Sequence, residues 1–248
     1  MSQVLLLREG IPNLLPMQGR SAGVHTSTII TDLAIRLGYL SGKAELSTTW
    51  AQLGCALERS IIWAYEREFP GRYVQPGEQC LDRVYNTPDL ADHNPLADPA
   101  LTEEEFAILA TVAYRPVPEE IKCSWMTSRH TPRDCDSCGL PTCKKYWRYE
   151  RQLQAECKMP YFDTTVGKLN VTHVNGSGRG GEGPANKPWL LVYEQEEIDS
   201  NWQMLVSHAE TMRCGECDGS GLNWNASRTV CWACVPCAGS GVKLTTEG

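Results

Sequence analysis

Two short strings hold the residues best suited to phosphate chemistry, Pro88-Asp89 and Glu120-Ile121-Lys122. Strand residues two apart share a face, so Glu120 and Lys122 on a strand would project a carboxylate and an ammonium together. Asp89 from a neighbouring strand would add a second hard oxygen donor, a set that suits Mg2+ at a phosphodiester. The ion would polarise the phosphate and acidify a water, while Lys122 orients that water or stabilises the pentacoordinate transition state. Glu119 and Asp92 compete for the same roles. Glu119 falls on the face opposite Lys122, and Asp92, three residues along a strand from Asp89, points the other way. Alone, acid-x-Lys on a strand is a common pattern, and its ordinary meaning is a solvated ion pair.

Twelve cysteines form the second chemical signal, a high count for a chain with no sign of secretion. Cys214-x-x-Cys217 and Cys234-x-x-Cys237, sixteen residues apart, have the spacing of a four-thiolate zinc site. Each second cysteine leads into a repeat, Cys217-Asp-Gly-Ser-Gly and Cys237-Ala-Gly-Ser-Gly. That repeat favours Cys234 and Cys237 over the alternative pair Cys231 and Cys234. The halves resemble the Cys-x-x-Cys-x-Gly-x-Gly modules of DnaJ-type zinc fingers. A segment of this size with no core of its own would need the metal to fold. Cys135, Cys138 and Cys143 supply three ligands of a possible second zinc site, with Cys123, His130 or Cys157 as the fourth. Cys55 and Cys80 read as buried small residues, and His25, His93, His173 and His208 have no ligand-like spacing.

The order of motifs along the chain resembles the PD-(D/E)XK nucleases, in particular their RecB-like and lambda-exonuclease-like (YqaJ-type) branch. Gly54 to Glu58 is similar to that branch's Gly-x-x-x-Glu/His motif, Asn86 to Leu90 to its Pro-Asp motif, Glu119 to Cys123 to its Glu-x-Lys strand, and Arg151 to Glu156 to its helical Gln motif. The residue four after Gln152, commonly Tyr in that branch, is Glu156 here. The resemblance implies Asp89, Glu120 and the Ile121 backbone carbonyl as ligands of Mg2+ or Mn2+, and Glu58 as an outer or second-metal ligand. It further implies Lys122 as the catalytic lysine, with Gln152 bracing the site or contacting DNA. The implied function is a Mg2+-dependent deoxyribonuclease in DNA end processing, recombination or repair, with exonuclease action favoured over endonuclease. A recombination or single-strand-binding protein is an implied partner. The rival expectation is a non-catalytic, zinc-bearing nucleic-acid-binding or adaptor protein of the same fold. Some RecB-like nucleases carry a four-cysteine iron-sulfur cluster, but that arrangement brackets the core. Here Cys135, Cys138 and Cys143 lie within it, which favours zinc.

Such a site needs strands to present it and helices to cover it. Helical periodicity marks Ser27 to Leu40, Thr49 to Phe69 (apolar at Trp50, Leu53, Leu57, Ile61 and Tyr65), Lys144 to Met159 and Glu194 to Met212. Strand patterns fall at Arg72 to Gln75, Gln79 to Tyr85, Asp89 to Asp92, Ile121 to Trp125, Lys168 to Val174 and Trp189 to Tyr193. Asn94 to Pro118 reads as an irregular insertion holding a capping box at Thr102 to Glu105, and Phe106 to Tyr114 within it is open between helix and strand. Strands interleaved with helices predict an α/β chain with a restriction-endonuclease-like core, a mixed central sheet flanked by helices. Residues 1–212 would form this domain, with a cysteine-containing insertion at 123–143, and residues 213–248 a small C-terminal zinc-binding module.

The length, 248 residues with 42% hydrophobic, is enough for a sizeable core and too apolar for a disordered chain. Phe106 to Tyr114, the longest uncharged apolar run, is too short to cross a bilayer, and MSQVLLLREG lacks the regions of a secretory signal, so a cytoplasmic protein without membrane contact is expected. A net charge of −7 and a pI near 5.3 argue against a broad basic DNA-coating surface. Between Lys122 and Lys158, however, eight basic residues face four acidic ones, and Lys144, Lys145, Arg148 and Arg151 interleave with Tyr146, Trp147 and Tyr149 as a candidate DNA-binding stretch.

Overall fold

The structure, a computed structural model, describes residues 21–40, 48–124, 128–174 and 183–213, together with two short strands at 222–224 and 231–233. In chain order its elements begin with β1 (Val24–His25), α1 (Thr26–Arg36) and α2 (Thr48–Glu68), then β2 (Tyr73–Val74), β3 (Gln79–Leu81), β4 (Val84–Asn86) and β5 (Leu90–Asp92). A 3-10 turn at Pro95–Ala97 leads to α3 (Glu103–Ala110) and β6 (Val117–Ser124). A hairpin of β7 (Arg133–Cys135) and β8 (Leu140–Thr142) precedes α4 (Trp147–Lys158), β9 (Val166–His173), β10 (Ala185–Val192) and α5 (Gln195–Met212). The strands at Leu222–Trp224 and Cys231–Ala233, β11 and β12, pair antiparallel.

The fold is mixed α/β. A five-stranded sheet has the order β10-β9-β6-β5-β2, antiparallel throughout except for the parallel pair β6 and β9. A smaller sheet, β1-β4-β3, is mixed as well. Parallel neighbours need a crossover connection, and here it runs through the β7–β8 hairpin and α4. Helix α2 covers one face of β6, where Ile62 and Tyr73 pack with Leu90 and Ile121. Helix α4 covers the other. There Leu153 packs with Leu169 and Val171, and Gly167 is needed because an added Cβ would lie 2.8 Å from the Leu153 side chain. Behind α4, Trp147, Ala155 and Met159 join Ile29, Ile30 and Ala34 of α1 and Trp202, Leu205 and Ala209 of α5 in one buried cluster.

Several elements differ from expectation for identifiable reasons. The run Gln79 to Tyr85 is a hairpin, because Asp82 and Arg83 both take positive φ (47° and 64°), the conformation of a two-residue turn. Trp202 Nε1 donates to Asp82 Oδ2 at 2.8 Å, which holds that turn against α5. Asn94 to Pro118 is not wholly irregular: the Thr102 capping box forms, starts α3 and settles the Phe106 region as helical up to Ala110. Cys55 and Cys80 are exposed, contrary to the expectation of burial. Cys55 faces an open cavity, and Cys80 sits on the outer strand of the small sheet. Among the described residues, no helix is long and apolar enough to cross a membrane.

Candidate active site

Strand β6 positions the central pair. Its alternation sends Glu120 and Lys122 toward α4, whereas Glu119 and Ile121 face α2, where Glu119 accepts from Asn170 Nδ2 at 3.2 Å. Pro88-Asp89 ends the link from the small sheet into β5, and Leu90 pairs with Glu119. That register places Asp89 beside the middle of β6, where its Oδ2 accepts from the Ile121 backbone N–H at 2.9 Å. Asp92 lies elsewhere, fully buried in ion pairs with Arg72 (3.0 Å) and Lys168 (2.6 Å).

The Lys122 ammonium gathers the three oxygen groups expected to bind metal. It lies 2.5 Å from Glu120 Oε1, 3.4 Å from Asp89 Oδ2 and 3.0 Å from the Ile121 carbonyl. The three therefore converge within reach of one cation. Burial would lower the Lys122 pKa, but the charges of Asp89, Glu120 and Glu58 outweigh it and raise the pKa well above the ordinary value. Glu58 arrives from α2, lines the same cavity and accepts from the Cys123 N–H at 3.0 Å. Its pKa is raised by burial, against the pull of Lys122 and that hydrogen bond.

Helix α4 closes the site with Gln152 and Glu156. Gln152 Nε2 donates to Asn86 Oδ1 (2.7 Å) and Glu156 Oε1 (3.1 Å), and Thr26 Oγ1 donates to the same Asn86 oxygen at 2.8 Å. Glu156 is fully buried, and its Oε2 has no hydrogen-bond partner unless a proton is shared with the neighbouring Glu120 carboxyl. Burial pushes Glu156 up to about 7, and burial with the charge of Asp89 drives Glu120 well above the usual carboxylate range. The spacing of Gln152 and Glu156 on one helix allows their pairing from sequence, whereas Asn86, three residues before Asp89, gives no sign of its role.

The five residues Glu58, Asp89, Glu120, Lys122 and Gln152 all line one cavity of about 500 Å3, rimmed by Arg148, Tyr149 and a stacked His25–Tyr85 pair. The expected basic stretch divides. Arg148 reaches the cavity, whereas Arg151 stacks over Trp147 and lines a separate depression with Arg133 and Glu197. Lys144 lies over Tyr39, and Lys145 Nζ is 2.8 Å from His130 Nε2. A row of four side by side is not formed.

The donor set in the cavity fits a hard divalent ion: two carboxylates and a carbonyl converge, and a third carboxylate stands close. A separate cluster of His130, Cys135, Cys138 and Cys143 could also hold a metal ion, its ligand atoms all lying within 4.8 Å of one another. Of the alternatives for its fourth member, Cys157 donates to the Val166 carbonyl and Cys123 lines the acidic cavity. The tail residues Cys214, Cys217, Cys234 and Cys237 lie outside the described residues.

No family model matches the chain, and no curated protein does. Among solved structures, the crystal structure of SSO0001 is similar at 13% identity and a TM-score of 0.41, covering 77% of this chain and 79% of that one.

Proposed function

We propose that the chain is a Mg2+-dependent deoxyribonuclease with a restriction-endonuclease-like core, acting on DNA ends in recombination or repair. The observation that carries this reading is the convergence of Glu120, Asp89 and the Ile121 carbonyl on a single point at Lys122. Asp89, Glu120 and the Ile121 carbonyl would hold Mg2+ or Mn2+, with Glu58 as the outer carboxylate. An ion held there would supply Lewis-acid polarisation of the phosphate and a more acidic water.

The side chains do the rest. Lys122, kept protonated by its carboxylate neighbours, stabilises negative charge developing on the phosphate rather than accepting a proton. Gln152 ties α4 to Asn86 and so fixes the wall beside the carboxylates. Arg148 offers charge to the backbone and Tyr149 a stacking face to a base at the rim. Residues 213–248, with Cys214, Cys217, Cys234 and Cys237 as zinc ligands, would form an accessory module that contacts DNA or a recombination partner.

The test is purified protein with linear and closed circular DNA, with Mg2+ added or omitted, beside Lys122→Ala. Wild type should cut only with Mg2+, and the variant should be slower by roughly 100-fold or more. Loss of linear DNA alone would identify an exonuclease. No Mg2+-dependent cleavage of either substrate, or full activity in the variant, would refute the assignment.

A further inference from the structure

We propose that His130, Cys135, Cys138 and Cys143 bind one Zn2+, and that this ion fixes the first turn of α4, the helix that carries Arg148, Tyr149 and Gln152 to the acidic cavity.

Four of the six ligand-to-ligand distances are close to those of a zinc tetrahedron. With Zn–S near 2.3 Å and Zn–N near 2.0 Å, a regular tetrahedron has S···S edges of about 3.7 Å and S···N edges of about 3.5 Å. Here His130 Nδ1 lies 3.4 Å from Cys135 Sγ and 3.8 Å from both Cys138 Sγ and Cys143 Sγ, and the Cys138 and Cys143 sulfurs are 3.4 Å apart. Those four edges need adjustments of only a few tenths of an ångström, the other two lie within 4.8 Å, and a cage this small has no room for a multi-iron cluster. Three thiolates and an imidazole are a soft set that selects zinc over the hard cations suited to the acidic cavity.

The backbone is shaped for the same end. In Cys135-x-x-Cys138-Gly139 the amides of Cys138 and Gly139 both donate to the Cys135 carbonyl (3.1 and 2.8 Å), and Gly139 takes φ +62°, which favours glycine. His130 is brought in by Tyr146, whose hydroxyl donates to the His130 carbonyl at 3.3 Å. Coordination through Nδ1 leaves the ring proton on Nε2, so the exposed Lys145 would swing off that nitrogen into solvent.

Otherwise the segment is held by the β7–β8 pairing, by the Arg133–Glu150 ion pair (3.7 Å) and by the packing of Cys135, which alone is buried between Arg133 and Gly139. Cys143 joins it to α4: the Cys143 carbonyl accepts from the amides of Tyr146 (2.9 Å) and Trp147 (3.0 Å), where the helix begins. A ligand bond to Cys143 therefore immobilises the acceptor on which that first turn is built.

Zinc content and amide exchange are read without DNA, so the outcome is separate from whether the chain is a nuclease. Full-length wild type, His130→Ala, Cys138→Ser, His130→Cys and Cys157→Ser would be analysed for zinc per chain and by hydrogen exchange. Differences from wild type cancel any zinc held by the tail. His130→Ala and Cys138→Ser should each carry one zinc fewer, with amides of Tyr146 and Trp147 exchanging at least about 10-fold faster while β9 and β10 stay protected. His130→Cys, which restores a fourth ligand, and Cys157→Ser, outside the cluster, should match wild type. Cys138 is exposed, so its replacement leaves no hole in the core. Unchanged zinc in His130→Ala and Cys138→Ser would overturn the site; lost zinc with unchanged exchange at Tyr146 and Trp147 would overturn the fastening of α4.

Discussion

Replacing Glu156 with Gln should change how stability depends on pH while leaving the packing intact. The carboxyls of Glu120 and Glu156 are neighbours and both buried, and Glu156 Oε2 has no other partner, so without a divalent ion they need a proton between them. Glu156 rises from its ordinary 4.5 to about 7 because burial disfavours its charge. A carboxyl raised in the folded state stabilises the fold fully below about pH 4.5, and that contribution is lost as pH climbs through about 7. The shift amounts to about 3 kcal/mol at about 1.4 kcal/mol per pH unit, of which roughly 2 kcal/mol should be lost between pH 5.5 and 8. A Gln at this position can still accept from Gln152 and can donate to Glu120, so no shared proton is required. Urea unfolding at a series of pH values, with no Mg2+ added, gives the comparison. Wild type should lose stability toward pH 8, on a slope that Glu150, raised by burial to about 7, also feeds. Glu156→Gln should lose about 2 kcal/mol less over the same range. Equal slopes for the two proteins would show that Glu120 and Glu156 do not share a proton.

Two further substitutions test the frame around the site. Gly167→Ala should cost about 1–3 kcal/mol in chemical unfolding, because its Cβ would meet the fully buried Leu153; a loss below about 0.5 kcal/mol would mean α4 moves off β9 freely. Arg72→Met should cost about 3 kcal/mol at pH 7, since it strips one of two cationic partners from the buried Asp92, and an unchanged urea midpoint would show that Lys168 alone suffices.

The face assignment on β6 was legible in sequence because strand alternation is strict: choosing Glu120 over Glu119 follows from the position of Lys122 alone. The long apolar periodicity of α2 and the capping box at Thr102 were legible for the same local reason. What escaped was decided by contacts distant in sequence. Asp82 and Arg83 turn a hairpin without glycine, and Trp202, 120 residues away, helps hold it. Gln152 and Glu156 read as an i,i+4 pair on a solvated helix until Asn86 and Glu120 are set beside them. His130 was one of three candidates for the fourth ligand, and the choice among them waited on the fold back onto Tyr146, which brings its ring to the sulfurs.

The outer strands of the main sheet bear on how the molecule meets its neighbours. At one border, β2 is only two residues long. At the other, β10 keeps an unbroken antiparallel register from Ala185 to Val192, so Pro188 within it turns its donorless nitrogen away from β9, toward the outer side of the strand. Among the described residues, a second copy seeking to extend the sheet would find a stub on one side and an interrupted ladder on the other, poor templates for the edge-to-edge stacking that is the usual hazard of an open sheet.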